Sequence, residues 1–190
     1  MALPATDDFN RADANPIGGN WTQTYGLGGS LQIYSNKAIA VGYGTAGAYW
    51  NADSFSSDHY SQVKITTPAD GGPAIRIQSG ATTFYLVEAY PGVGFRLGKY
   101  VAGSQTTLIN WTGTPAANDV VKLSATGSTI EMFQNGVSLG SVVDTAITGG
   151  AAGLFVSGGG IYFDDWEGGD VAASGLSIPV AMHQYRQRRN

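Results

Sequence analysis

Short runs of alternating apolar and polar residues follow one another along the chain, separated by Gly, Asn, Asp and Ser. No stretch carries a long apolar repeat of 3.6 residues, so the pattern predicts strands and no substantial helix. The expected strands are Leu31–Tyr34, Ala38–Val41, Gly47–Asn51, His59–Thr67, Ala74–Gln78, Thr83–Tyr90 and Gly94–Val101. They continue with Thr106–Trp111, Val120–Ala125, Thr129–Gln134, Val137–Val142, Gly153–Val156 and Gly160–Trp166. A spacing of roughly 8–12 residues with turns between marks a sandwich or barrel. The alternation assigns faces: Val121, Leu123 and Ala125 share one side, and Val120, Lys122 and Ser124 the other. By the same rule Ile75 and Ile77 oppose Arg76 and Gln78, which places Arg76 on an outer face. Half-polar strands of this kind suit antiparallel sheets with one wet face.

The turns have identifiable chemistry. Asn135-Gly136 between two strand patterns is a type I′ hairpin signal, because both central residues need positive φ. Tyr90-Pro91-Gly92 joins two aromatic-rich strands. The Gly-rich runs Ala69–Pro73 and Ser157–Gly160 are expected as breakers. The same reading covers Gly26–Gly29, since neither it nor Ser157–Gly160 has the Lys-Ser/Thr or following helix of a phosphate loop. From Gly168 the alternation dissolves, so residues 1–170 are expected as one β-domain and 171–190 as a linker and docking tail.

Composition narrows the classes. Gly reaches 28 of 190 residues and charge only 13%, while 43% of residues are hydrophobic. That is too apolar for a disordered chain, and Gly has no three-residue period. No apolar run is long enough for a membrane helix, and the start lacks a signal-peptide pattern. With no Cys and two His, disulfides, thiolate metal sites, a zinc centre and a Ser-His-Asp triad drop out. Residues 1–182 carry seven Lys/Arg against 14 Asp/Glu, which argues against nucleic-acid binding by the domain. The last eight residues reverse the sign with Arg186, Arg188 and Arg189.

From Pro73 to Asp170 the motifs fall in a familiar order. Ala74-Ile75-Arg76-Ile77 is followed by Phe84-Tyr85-Leu86-Val87 and Phe95-Arg96-Leu97-Gly98-Lys99. Then come Asp119–Leu123, Ile130–Val137, Val142–Gly150, Ala152-Gly153-Leu154 and Phe163-Asp164-Asp165-Trp166. Asp7–Arg11 followed by Gly19-Asn20-Trp21-Thr22 opens the series. The chain resembles the concanavalin A-like, laminin-G-like jelly rolls, of the stand-alone kind found in bacterial and bacteriophage structural proteins. The resemblance covers roughly residues 5–170. It implies an all-β, two-sheet antiparallel jelly-roll sandwich with first and last strands adjacent. Asp7-Asp8-Phe9 and Phe163-Asp164-Asp165-Trp166 read as counterparts in that pairing.

Three constellations carry candidate chemistry. Trp50, Arg76, Tyr85, Glu88 and Arg96 offer the aromatic faces and planar polar groups that a glycan takes. Tyr49, Tyr60, Tyr90, Tyr100 and Asn51 are further candidates of the same kind. Asp7 and Asp164 are candidate calcium ligands if the end strands pair, although adjacent Asp residues on a strand point to opposite faces. The tail residues Ile178, Pro179, Val180, Met182, Tyr185, Arg186, Arg188 and Arg189 form an apolar, aromatic, then basic docking segment. The three Glu residues, Glu88, Glu131 and Glu167, do not form the two-carboxylate cluster of a glycosidase. Asn20-Trp21-Thr22 and Asn110-Trp111-Thr112 match glycosylation sequons but read as ordinary turn and strand residues.

The reading that follows is a non-enzymatic virion decoration protein on a capsid or tail surface, with weak glycan binding. Its partners would be a capsid or other virion protein, or like subunits. The alternative is a carbohydrate-binding module or lectin of a secreted or cell-surface protein. No cofactor is expected beyond a possible calcium ion.

Overall fold

The computed structural model describes residues 3–24, 29–41, 44–80 and 82–172. Among them it forms strands and no helix. The first five strands are β1 (Ala5–Asp7), β2 (Trp21–Gln23), β3 (Ser30–Tyr34), β4 (Lys37–Val41) and β5 (Ala46–Trp50). The middle five are β6 (His59–Thr67), β7 (Gly71–Ile77), β8 (Phe84–Tyr90), β9 (Gly94–Val101) and β10 (Ser104–Thr112). The last five are β11 (Asp119–Thr126), β12 (Thr129–Gln134), β13 (Val137–Val143), β14 (Ala151–Val156) and β15 (Tyr162–Asp170).

These strands build two antiparallel sheets packed as a jelly-roll sandwich. The eight-stranded sheet runs β13-β12-β11-β6-β15-β4-β3, with β1 on β15. The seven-stranded sheet runs β10-β9-β8-β7-β14-β5-β2. The first and last strands pair as expected, with Asp7 opposite Trp166. Asn135 and Gly136 take φ of 50° and 78°, the values that a type I′ hairpin requires.

Alternation fills the space between the sheets. Tyr85, Val87, Ala89, Phe95 and Leu97 point inward from one sheet, and Val121, Leu123, Ala125, Ile130 and Met132 from the other. At one end Trp21 and Trp50 meet Trp166 across the sandwich, with ring centroids 4.6 Å and 5.2 Å from it. Each buried indole N–H has an acceptor: Asp7 Oδ2 for Trp21, Asp53 Oδ2 for Trp50 and Ser61 Oγ for Trp166. Burial of three large rings is therefore not offset by stranded donors. A second apolar cluster lies on the outer face of the seven-stranded sheet, where Ala74, Ile77, Phe84, Leu86 and Phe155 pack with Tyr49 and Tyr100.

β7 departs from the expected pattern twice. Gly71-Gly72-Pro73, expected as a breaker, is the first half of the strand. A Cβ on Gly72 would sit 2.5 Å from the Val87 carbonyl oxygen, and one on Gly71 2.7 Å from that of Phe155. These glycines let neighbouring strands approach closely rather than turn the chain. Arg76 then adopts φ of 52°, and the ladder with β14 shifts register between Ala151 and Gly153. This bulge breaks the alternation, so Ile75 joins the main core while Ile77 joins the outer cluster.

The same bulge swings Arg76 into the end of the sandwich, where it is buried. Its guanidinium donates to the carbonyls of Ser57, Gly127 and Ile147 at 2.6–3.1 Å. His59 completes this clasp. Its Nδ1 lies 2.7 Å from the Ser56 carbonyl and so carries the proton, and its Nε2 accepts the Arg76 backbone N–H at 3.1 Å. Burial holds the His59 pKa below 6.5; the Arg76 cation adds to this, and Ser56 and Asp170 oppose it. The unfolded chain therefore binds the proton first as pH falls. Stability from this contact is full above about pH 6.5 and is lost as pH drops through the folded pKa. Thermal midpoints measured between about pH 7.5 and pH 5 should fall more for the native chain than for His59→Gln. Parallel curves for the two would refute the assignment.

Candidate functional site

The seven-stranded sheet presents a polar patch at the end where the Tyr90-Pro91-Gly92 turn lies. The turn sets the register of β8 and β9: Tyr90 pairs with Gly94, so Glu88 stands directly opposite Arg96. Both point to the outer face, because Val87, Ala89, Phe95 and Leu97 point to the core. Arg96 donates its Nε–H to Glu88 Oε2 at 2.6 Å and pairs with the same oxygen through Nη2. Gln105 on β10 donates to both Glu88 oxygens at 3.2 Å and 3.3 Å. Glu88 is completely buried, which raises its pKa; the Asp70 charge adds to this, and Arg96 and Gln105 pull it back.

An aromatic pair flanks this ion pair. The Arg96 guanidinium carbon lies 4.9 Å from the centre of the Trp111 ring, and Trp111 meets Tyr90 at 5.9 Å. Tyr90 is 44% exposed, so a large part of its surface is open to solvent. Beside it runs a cleft of about 400 Å³ lined by Asp70, Tyr90, Pro91, Ser157, Gly158 and Gly159 among others. The Asp70 carbonyl accepts the Ser157 N–H at 2.8 Å. Asp70 Oδ1 is buried and has no hydrogen-bond partner among the described residues. Burial raises the Asp70 pKa, while Arg96 and Ser157 lower it. An acceptor left without a donor beside an open aromatic ring suits a polyhydroxylated ligand, which brings hydroxyl donors and flat C–H faces together.

Of the five residues expected to bind glycan, only Glu88 and Arg96 come together here. Trp50 packs in the tryptophan cluster between the sheets. Tyr85 points into the core, its hydroxyl donating to Asp144 Oδ1 at 2.6 Å, and burial lifts its pKa to about 12. Arg76 is turned away by the bulge described above. None of these three presents a face to solvent, so they do not form the expected surface; the aromatic rings beside Glu88 and Arg96 are Tyr90 and Trp111. Tyr90 was already a candidate, whereas Asp70 and Trp111 were passed over as turn and strand residues. Counting outward from the Tyr90–Gly94 turn would have paired Glu88 with Arg96 from sequence.

The expected calcium ligands are otherwise engaged. Asp7 Oδ1 accepts the Phe9 N–H and the Arg11 guanidinium at 2.8 Å and 2.6 Å, and Oδ2 accepts the Trp21 indole at 2.7 Å. Asp164 lies 3.5 Å from Lys64, which also pairs with Asp165 at 3.0 Å. No three His, Asp or Glu side chains gather as a metal site among the described residues. The docking-tail residues Ile178, Pro179, Val180, Met182, Tyr185, Arg186, Arg188 and Arg189 lie outside the described residues.

No family model matches the chain, and no curated protein matches it. Solved structures do share its fold. The carbohydrate-binding module CBM66 from Bacillus subtilis superposes with a TM-score of 0.66 at 17% identity, covering 76% of this chain and 92% of that one. A prokaryotic β-1,3-1,4-glucanase (lichenase) derived from a mouse hindgut metagenome gives 0.59 at 9% identity, over 88% and 99%. The exoplasmic/lumenal domain of VIP36, in a Ca²⁺/mannose-bound form, gives 0.59 at 9% identity, over 85% and 90%. The chain thus has the jelly-roll fold of carbohydrate-binding and glucan-cleaving domains.

Proposed function

We propose that this chain is a carbohydrate-binding module that displays its seven-stranded sheet to extracellular or cell-surface glycans. The observation that carries the reading is one cleft lined both by the open Tyr90 ring and by Asp70, whose Oδ1 has no hydrogen-bond partner among the described residues. A sugar ring would stack on Tyr90, and its hydroxyls would donate to Asp70. Arg96 stiffens the platform by holding Trp111 and Glu88 together. The fold neighbours favour this reading over virion decoration. In it the segment 171–190 is an attachment tail.

Titration of a glycan panel against the native chain tests the reading. Tyr90→Ala and Asp70→Asn should each weaken the best ligand about tenfold, which is about 1.4 kcal/mol. Both positions edge the cleft, so the thermal midpoint should hold or, for Asp70→Asn, rise. Absence of binding to every glycan, or binding untouched by both substitutions, would overturn the proposal.

One observation favours a hydrolase instead: a β-1,3-1,4-glucanase shares the fold, and burial raises the pKa of two carboxyl groups at this end, Asp70 and Glu88. Against it, Glu88 is fully buried and Arg96 and Gln105 occupy its carboxylate. It has no free oxygen positioned to protonate a glycosidic bond. New reducing ends from the same panel, abolished in Asp70→Asn, would establish the hydrolase.

A further inference from the structure

Between Lys99 and Asp119, and again between Glu131 and Asp144, no residue carries a formal charge. The two stretches hold 19 and 12 residues of a chain that is 13% charged, so composition alone would place about four charges in them. They contain the outermost strands β10 and β13. Each ends its sheet, and both lie on the same side of the sandwich, where Ile109 Cδ1 comes within 3.4 Å of the Cβ position of Gly140. Leu108, Ile109, Leu139 and Val142 close the core there, while Val137 and Val143 stand 67% and 71% exposed.

The opposite side is managed differently. The outer edge of β3 is covered by the preceding chain: Ala14 exchanges two backbone hydrogen bonds with Ile33, and Ile17 donates to Leu31. β2, at the end of the other sheet, spans only three residues. Strand edges are ordinarily blunted by such covers, by short length or by charges, because open N–H and C=O groups invite another strand. β10 spans nine residues, and its first half pairs regularly with β9 from Ser104 to Thr107. All four of those residues are exposed and no described segment pairs with their outer edge. A bulge follows Thr107, so the open edge is limited to this regular half.

We infer that the Ser104–Thr107 edge of β10 pairs with the same edge of a second copy of this chain. A strand edge that lies antiparallel to its own copy is two-fold symmetric, so the contact closes at a dimer. The chain has a net charge of −4, so two copies repel over most of their surfaces. Residues 100–118 and 132–143 carry no formal charge, so this side can be brought together without setting like charges against each other. Pairing would extend the seven-stranded sheet across the dimer and place two Tyr90–Trp111 ends on one continuous sheet. If the glycan reading holds, a multivalent surface would then be gripped at two points. The association itself does not depend on that reading.

Sedimentation velocity of the full chain over a wide concentration range is the test. The native chain should sediment at twice the chain mass. Thr106→Lys and the double variant Thr106→Lys/Thr107→Lys should each return it to the single-chain mass, because the two-fold sets residue 106 beside its own copy. Both positions are exposed, so circular dichroism melts should match the native protein. A native chain that remains single at every concentration overturns the inference. So does a dimer that survives both substitutions, since its contact would lie elsewhere.

Discussion

Arg76→Met is expected to lower the unfolding free energy by about 2–4 kcal/mol. The guanidinium is the common donor to three carbonyls from separate loops, those of Ser57, Gly127 and Ile147. Only the bond to Ile147 is fully buried, and stripping that carbonyl of its donor costs about 1–3 kcal/mol; Ser57 and Gly127 are exposed, so water replaces much of what their carbonyls lose. Asp58 at 3.8 Å and 42% side-chain exposure contributes little, so the loss comes from hydrogen bonds and not from an ion pair. Arg76→Lys should recover little, because one ammonium cannot reproduce the planar fork that reaches three acceptors. Urea denaturation at constant m-value measures the effect. A loss below about 1 kcal/mol would mean that the loops are held by something other than this side chain.

Trp166→Ala should cost a comparable amount, about 3–5 kcal/mol. Trp166 is on the closing strand of the eight-stranded sheet, and its ring stacks on Trp50 and meets Trp21 edge-on from the other sheet. Truncation opens a cavity between the sheets that the two remaining indoles, tethered to Asp7 and Asp53, cannot collapse to fill. The Ser61 hydroxyl would still donate to the Gly153 carbonyl at 2.7 Å, so no buried donor is stranded and the penalty is one of packing. Trp166→Phe, which keeps an aromatic ring but loses the indole N–H, should cost about 1–2 kcal/mol. If Trp166→Ala unfolds at the native urea midpoint, the three tryptophans are not the seam of the sandwich.

The architecture was legible because it depends on local signals repeated many times. Alternation such as Val121, Leu123 and Ala125 names an inward face without any knowledge of the partner strand. Asn135-Gly136 names its turn type because few residue pairs accept two positive φ values. Even the pairing of the first and last strands could be read, since an acidic pair beside an aromatic occurs at each. The site was legible only in part. Glu88 and Arg96 are local to one hairpin and emerged together, whereas Asp70 reaches the same place from the loop before β7 and Trp111 from β10.

The misplaced residues have two causes. Alternation predicts side-chain direction only while the ladder is unbroken, and one bulge at Arg76 reverses everything after it on that strand. That bulge turned a presumed surface arginine into a buried clasp and sent Ile77 to the outer cluster. Composition likewise marked Trp50 and Tyr85 as glycan-binding types, but the same rings that stack on sugars also fill cores. Residue order alone therefore determined the two antiparallel layers, most strand limits, the turns and the adjacency of the first and last strands. Which aromatic rings meet solvent, which carboxylate oxygen is left without a donor and which edge stays open were settled by long-range packing. Those properties belong to groups far apart in the chain, and no local pattern encodes the distance between them.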